Sequence, residues 1–134
     1  MTYTVQILDE TTARPQPVHA LSLEFETETL SVQELIRRRV YEECLEFNAG
    51  AQERFCGLVI PEGMERELGS PALRRDRRVD WETQFAKATE AFQRNGIIVL
   101  VGDRQAEALD ETVTLRLGEP LEVTFIRLVP LVGG

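Results

Sequence analysis

At 134 residues, 43% hydrophobic and 28% charged, the composition is that of one soluble globular domain long enough to bury a real core. A net charge of −8 argues against nucleic acid as the main partner, because phosphate binding needs concentrated cations. The longest apolar runs, such as Ile97 to Val101, are too short to span a membrane, and two cysteines make no disulfide framework.

The opening Met-Thr-Tyr-Thr-Val-Gln has no basic region followed by an apolar core, so no signal peptide is expected and a cytoplasmic location follows by default. Tyr3, Val5 and Ile7 alternate with polar residues and predict a first strand over 3–10. Thr11 to Pro17 reads as a proline-bearing turn. His19 to Thr27 alternates again, with Leu21, Leu23 and Phe25 on one face, which predicts a β-hairpin. Ser31 with Glu34 three residues later forms a capping box for a helix ending near Asn48-Ala49-Gly50. Val32, Leu35, Ile36, Val40, Cys44 and Phe47, with Leu45 beside them, make its apolar stripe. Arg37, Arg38 and Arg39 with Glu42 and Glu43 are expected on its solvated side, in ion pairs worth only tenths of a kcal/mol.

The middle, from Gly50 to Asp80, is punctuated by Pro61, Gly63, Gly69, Ser70 and Pro71 and reads as irregular, with one short extended piece near Phe55 to Ile60. Arg74, Arg75, Arg77 and Arg78 form a basic cluster, either a solvated loop balancing acidic helices or a docking patch for an acidic partner. Asp80 caps a second helix over 81–94, with Trp81, Phe85, Ala88 and Phe92 as its core stripe, and Asn95-Gly96 stops it. Ile97 to Val101 has the look of the most buried strand, turned by Gly102-Asp103. Gln105 to Leu109 reads as a short strand, and Thr112 to Leu117 leads through Gly118-Glu119-Pro120 to a last strand from Leu121, alternating as far as Phe125.

Catalytic groups do not converge anywhere in this pattern. There is no Gly-rich phosphate loop, no His-containing dyad or triad and no metal-ligand spacing around the lone His19, so no metal and no catalytic residue is expected. Cys44 and Cys56 read as structural thiols. The chain looks like something acted upon.

Its end suggests by what. The last strand runs into Leu128-Val129-Pro130-Leu131-Val132 and then Gly133-Gly134. At about 7% glycine usage, two in succession at an end arise by chance in about one chain in 200. An ordinary frayed tail is one reading. Activation of a C-terminal carboxylate is the other. An enzyme making an acyl-adenylate must enclose the last residues in a narrow, water-poor channel, and glycines admit the backbone closely. Pro130 would keep that approach extended while Leu128, Val129, Leu131 and Val132 give apolar grip. The chain also has 14 arginines and a single lysine, Lys87. GC-rich codon bias is one reading of that imbalance; the other is that a protein handled by amine-acylating machinery does well to offer few amines, and the two are compatible.

Hairpin, helix, strand, short strand, final strand and Gly-Gly is the element order of the β-grasp fold. The chain resembles the ubiquitin-like superfamily, in its protein-modifier and its bacterial sulfur-carrier branches. Ile97 to Gln105 looks like the ubiquitin strand-turn-strand that bears a hydrophobic recognition patch, and like the Val-Asn-Gly turn of sulfur carriers. Leu117 to Phe125 is similar to the L-x-x-G-D-x-V-x-x-F approach of sulfur carriers, and Val129 to Gly134 to their Pro-x-x-Gly-Gly tail. The likeness covers residues 3–48 by pattern and 96–134 by motif. Residues 49–95 have no counterpart in compact members, which favours a bacterial ubiquitin-like protein elaborated for its own machinery. Pro130 stands where ubiquitin has a tail arginine used in choosing its activating enzyme, so partner specificity does not transfer.

The resemblance implies an α+β, β-grasp domain spanning 1–134, a mixed sheet packed on a long helix. An insertion over 49–95 would carry a second helix, and 129–134 would be a flexible tail. It implies a ubiquitin-like modifier, not itself an enzyme and holding no cofactor. An activating enzyme would use Mg-ATP to adenylate Gly134 and pass it through a thioester to a target protein. Gly133 and Gly134 are the reacting end and Leu128 to Val132 the threading segment. Ile98, Leu100 and Ile126 are candidate partner surface, and Lys87 is the side-chain amine open to self-conjugation. A conjugating enzyme and a deconjugating peptidase are the further partners implied. A sulfur carrier with a Gly134 thiocarboxylate is the alternative within the family. A non-covalent interaction module using the arginine cluster is the alternative outside it.

Overall fold

The computed structural model describes residues 1–49, 58 and 79–128. They form an α+β structure with a mixed five-stranded sheet, a two-stranded sheet and two helices. The chain divides into two compact units, Met1–Leu35 with Glu90–Gly134, and Ile36–Thr89.

In the first unit, β1 (Tyr3–Thr11) and β2 (Arg14–Phe25) form the hairpin. β4 (Ile97–Val101) and β5 (Arg104–Ala106) form a second, and β7 (Leu121–Arg127) closes the sheet. The order is β2-β1-β7-β4-β5, with β1 parallel to β7 and every other pair antiparallel. The last strand is therefore the central one. Register puts Val5, Ile7, Leu23, Phe25, Val99, Val123 and Phe125 on one face, and all are buried. Burying each such side chain contributes about 1.5–3 kcal/mol, which is why the register holds. Ile97 to Val101 is less enclosed than its run of apolar residues suggests. Ile98, Leu100 and Val101 are half-buried, whereas β7 buries Val123, Thr124 and Phe125 in succession.

β2 begins well before His19, so the expected turn over 11–17 shrinks to Thr12-Ala13. Pairing slips between Asp9↔Val18 and Thr11↔Arg14, so Pro15, Gln16 and Pro17 lie opposite one residue, Glu10. β2 is an edge strand, and an irregular edge is where a strand can hold residues that donate no N–H. A second slip, at Ala20, lies between the Ile7↔Leu21 and Leu8↔His19 pairs.

A two-stranded sheet, β3 (Thr29–Ser31) with β6 (Thr112–Thr114), has no sequence forecast behind either half, because three residues carry too little periodicity. It delivers the start of α1 (Val32–Asn48), where Ser31 Oγ accepts the Glu34 N–H at 3.0 Å. The N–H groups of Val32 and Gln33 donate to the carbonyls of Glu111 and Leu109, each at 2.9 Å. The first turn is thus closed by protein acceptors.

In the second unit, Ile36, Val40, Cys44 and Phe47 are buried along α1 as expected, while Leu45 is exposed. Arg39 departs from expectation: it is 0% exposed, not solvated. Its Nε and a terminal nitrogen donate to the two carboxylate oxygens of Glu43 at 3.2 and 3.1 Å, and Glu43 Oε1 also accepts the Leu58 N–H at 3.2 Å. A buried charge persists when paired and hydrogen-bonded in this way. Helical spacing from Ile36 places Arg39 and Glu43 inside the apolar stripe, which a run of three arginines conceals. Asn48 makes two bonds of 2.8 Å to the main chain of Val79. Trp81 meets Tyr41 edge-on at 5.4 Å, with Arg37 over its ring at 5.7 Å.

α2 (Trp81–Gln93) starts where Asp80 Oδ2 accepts the Thr83 N–H at 3.2 Å and the Thr83 hydroxyl at 2.5 Å. The hydroxyl bond, with the main-chain bonds from Thr83 and Glu82, holds the Asp80 carboxyl below its ordinary value. The buried positions are Gln84, Ala88 and Phe92; Trp81 and Phe85 are half-buried, so the stripe is turned from the one expected. The extended piece expected near 55–60, Leu58 apart, and the Arg74–Arg78 cluster lie outside the described residues.

Candidate functional site

The site is the point where the chain leaves the central strand. α2 ends in a Schellman cap, with the Gly96 N–H donating to the Ala91 carbonyl at 2.8 Å and the Asn95 N–H to Phe92 at 3.1 Å. The residue with positive φ is Asn95, at 63°, not the glycine beside it. The chain then turns directly into β4, whose Ile97 pairs with Arg127 at the end of β7.

Beyond that pair the main chain is held from both sides. The Arg127 carbonyl accepts the Thr12 N–H at 3.2 Å, and the Leu128 N–H donates to the Gly96 carbonyl at 3.0 Å. The root of the tail is thus fixed between the β1–β2 turn and the cap of α2. The Leu128 side chain is exposed there. Val129, Pro130, Leu131, Val132, Gly133 and Gly134 lie outside the described residues. Thr12 and Gly96 had no sequence signal as tail anchors, because both make the contact with main-chain atoms only.

On the sheet face opposite the core, register brings the candidate partner residues together. Ile98 pairs with Ile126, and Leu100 with Thr124. Leu8 and Glu10 of β1 stand opposite Thr124 and Ile126. Leu8, Ile98, Leu100 and Ile126 are half-buried, so the face is apolar but not prominent, and Thr124 at its centre is only 8% exposed. Leu8 breaks the alternation of its strand, a signal that could have placed it in this cluster. Lys87 is half-buried on α2 and belongs to neither group.

Polar side chains border the apolar cluster. His19 Nε2 lies 2.8 Å from Gln6 Oε1, and the Ser22 hydroxyl donates to the same oxygen at 2.7 Å. With both protons aimed at one amide oxygen, His19 presents Ser22 no basic nitrogen, so the 3.3 Å between them is not a nucleophile–base contact. Cys44 is buried, and burial first, then Glu43 and Asp80, push its thiol up to about 12. At neutral pH it is a protonated, inert group. Among the described residues, no three His, Cys, Asp or Glu side chains are arranged to hold a metal, and no helix is long and apolar enough to cross a membrane.

No protein-family model, no curated protein and no solved structure matches the chain.

Proposed function

We propose that this is a β-grasp, ubiquitin-like protein modifier whose Gly134 carboxylate is activated and transferred to target proteins. A carboxylate oxygen of Gly134 would attack the α-phosphorus of Mg-ATP on an activating enzyme, releasing pyrophosphate. A thiolate of that enzyme would displace AMP, and a target amine would then displace the thiolate. The chain supplies no catalytic group. It supplies a threadable end and a surface that holds the root of that end in place.

The observation that carries this reading is the position of β7. A final strand at the centre of the sheet, paired on both sides and tied at Arg127 and Leu128, gives the following Val-Pro-Leu-Val-Gly-Gly a fixed origin. An enclosing channel gains most from a short apolar tail whose starting point costs no entropy to position. Ile98, Leu100 and Ile126, on the β4 and β7 strands beside that origin, would give the enzyme apolar surface to seat against. Lys87 is a poor acceptor in this scheme because it is half-buried.

The test is mass spectrometry of the tagged chain recovered from its own host, reading the state of Gly134. Attachment to other proteins through the Gly134 carbonyl, lost on deletion of Gly134, is the expected result. One carboxylate oxygen replaced by sulfur would make it a sulfur carrier instead, and an untouched carboxylate would overturn the reading.

A further inference from the structure

The chain has two asparagines, and the fold holds them differently. The amide oxygen and nitrogen of Asn48 are both bonded to the main chain of Val79, each at 2.8 Å. Asn95 is exposed, has φ at 63° and is followed by Gly96. A glycine after an asparagine puts no Cβ in the way when its own main-chain nitrogen attacks the side-chain carbonyl carbon. In that reaction the Gly96 nitrogen gives up its proton, bonds to Asn95 Cγ and expels ammonia, closing a five-membered succinimide. Water then opens the ring at one of its two carbonyls. Opening at one leaves aspartate; opening at the other leaves isoaspartate, with the main chain running through Cβ.

The cap of α2 governs when this can happen. The Gly96 N–H that must lose its proton donates to the Ala91 carbonyl at 2.8 Å, so the closed cap withholds the nucleophile. A helix end is where opening costs least, and the exposed turn after Gln93 supplies the open form from which the ring closes. The product cannot restore what was opened. Isoaspartate puts one more bond, ~1.5 Å long, into the main chain ahead of the Gly96 nitrogen. Gly96 is thereby displaced from the Ala91 carbonyl and, through its own carbonyl, from the Leu128 N–H that it holds at 3.0 Å. The new carboxylate also stands at the negative end of α2, where the helix dipole opposes it.

We propose that Asn95 is a spontaneous modification site, converted through a succinimide to isoaspartate, and that the conversion unfastens the root of the tail by breaking the Leu128–Gly96 bond. The chemistry needs only water, so it acts on the chain whether or not Gly134 is ever activated.

The experiment ages the wild-type chain in mildly alkaline buffer, folded and unfolded in urea at the same pH. Modification is mapped by mass spectrometry after pepsin digestion in acid, with fragmentation telling isoaspartate from aspartate. The expected result is reaction at Asn95 and not at Asn48 in the folded chain, at least tenfold slower than Asn95 reacts in urea. The modified folded chain is then separated by ion exchange, and hydrogen exchange at its Leu128 amide is compared with that of unmodified wild type and Asn95→Asp. Asn95→Asp carries the added charge on an unaltered main chain. Exchange at least tenfold faster in the modified chain is expected, with Asn95→Asp close to wild type. Equal rates of modification in the folded and unfolded chains would overturn control by the cap. Asn95 staying intact in the folded chain, or Asn48 reacting before it, would overturn the site. Equal Leu128 exchange in modified and unmodified chains would overturn the release of the tail root, and equal acceleration in Asn95→Asp would overturn it too, by assigning the effect to charge.

Discussion

The main-chain N–H of Leu128 donates to the carbonyl of Gly96 at 3.0 Å, tying the root of the tail to the cap of α2. Neither side chain takes part, so the tie survives most substitutions at either position. Hydrogen exchange at the Leu128 amide should be slower than at an amide open to water. Proline at position 128 should abolish the tie at a cost of about 1 kcal/mol in denaturant unfolding.

The cap itself separates two residues that look interchangeable. Gly96 has ordinary φ, and a Cβ there would sit 3.4 Å from the Ala91 carbonyl oxygen, an ordinary contact. Asn95 is the residue at φ 63°. Gly96→Ala is therefore expected to change stability by less than about 0.5 kcal/mol. Asn95→Val should cost about 1–2 kcal/mol, with Asn95→Gly close to wild type. Urea melts of the three variants test the ordering, and the reverse order would refute the assignment.

Breaking the Arg39–Glu43 pair should be far costlier than an average surface ion pair. Glu43→Ala leaves a guanidinium at 0% exposure without its carboxylate and the Leu58 N–H without its acceptor. A loss of about 3–5 kcal/mol is expected. The double variant Arg39→Met with Glu43→Leu should recover a large part of it, because no charge is then left buried. If the double variant were no more stable than the single one, burial of charge would not be the cause.

Gln84 offers the opposite case. It is 5% exposed, and among the described residues its Oε1 has no hydrogen-bond partner. A buried acceptor left unbonded costs about 1–3 kcal/mol, so Gln84→Leu or Gln84→Met should raise the midpoint of unfolding rather than lower it. A fall in stability would mean that the amide nitrogen makes a bond worth more than the oxygen loses.

The Cys44 thiol predicts an alkaline limit. Its folded value of about 12 lies above the ordinary 9.0, so folding favours the protonated form. That contribution is fully present below pH 9 and is lost as pH rises toward about 12. In a Cys56→Ser background, Cys44→Ala should flatten the decline of stability over that window. The same background with Cys44 intact should react with a thiol reagent only as the protein unfolds.

Much of the sheet could be read from alternation, because a half-buried strand writes its two faces into successive residues. Tyr3, Val5 and Ile7 placed β1, and Leu21, Leu23 and Phe25 the inner face of β2. What escaped was set by tertiary context. Pro15 and Pro17 look like turn residues until β2 is known to lie at an edge. Arg39 looks solvated until Glu43 and Leu58 supply its surroundings. Gln84 occupies a position that Phe85 seemed to claim, since a helix rotated by one residue changes which side chain faces inward. At the candidate site, Ile98, Leu100 and Ile126 could be named from their strands, but pairing alone shows that Ile98 faces Ile126. The anchors Thr12 and Gly96 act through main-chain atoms that residue identity does not disclose.

Arg127 is the last residue of β7, and no lysine or arginine follows it. On the proposed modifier reading, trypsin cleavage there would leave Leu-Val-Pro-Leu-Val-Gly-Gly on the acceptor amine of a denatured conjugate. That branch is long and apolar, so it retards the modified peptide in reversed-phase separation and adds its own fragment series. If the proposed modifier reading holds, searches for a two-glycine remnant would pass over its targets, while searches for the seven-residue branch Leu128 to Gly134 would find them.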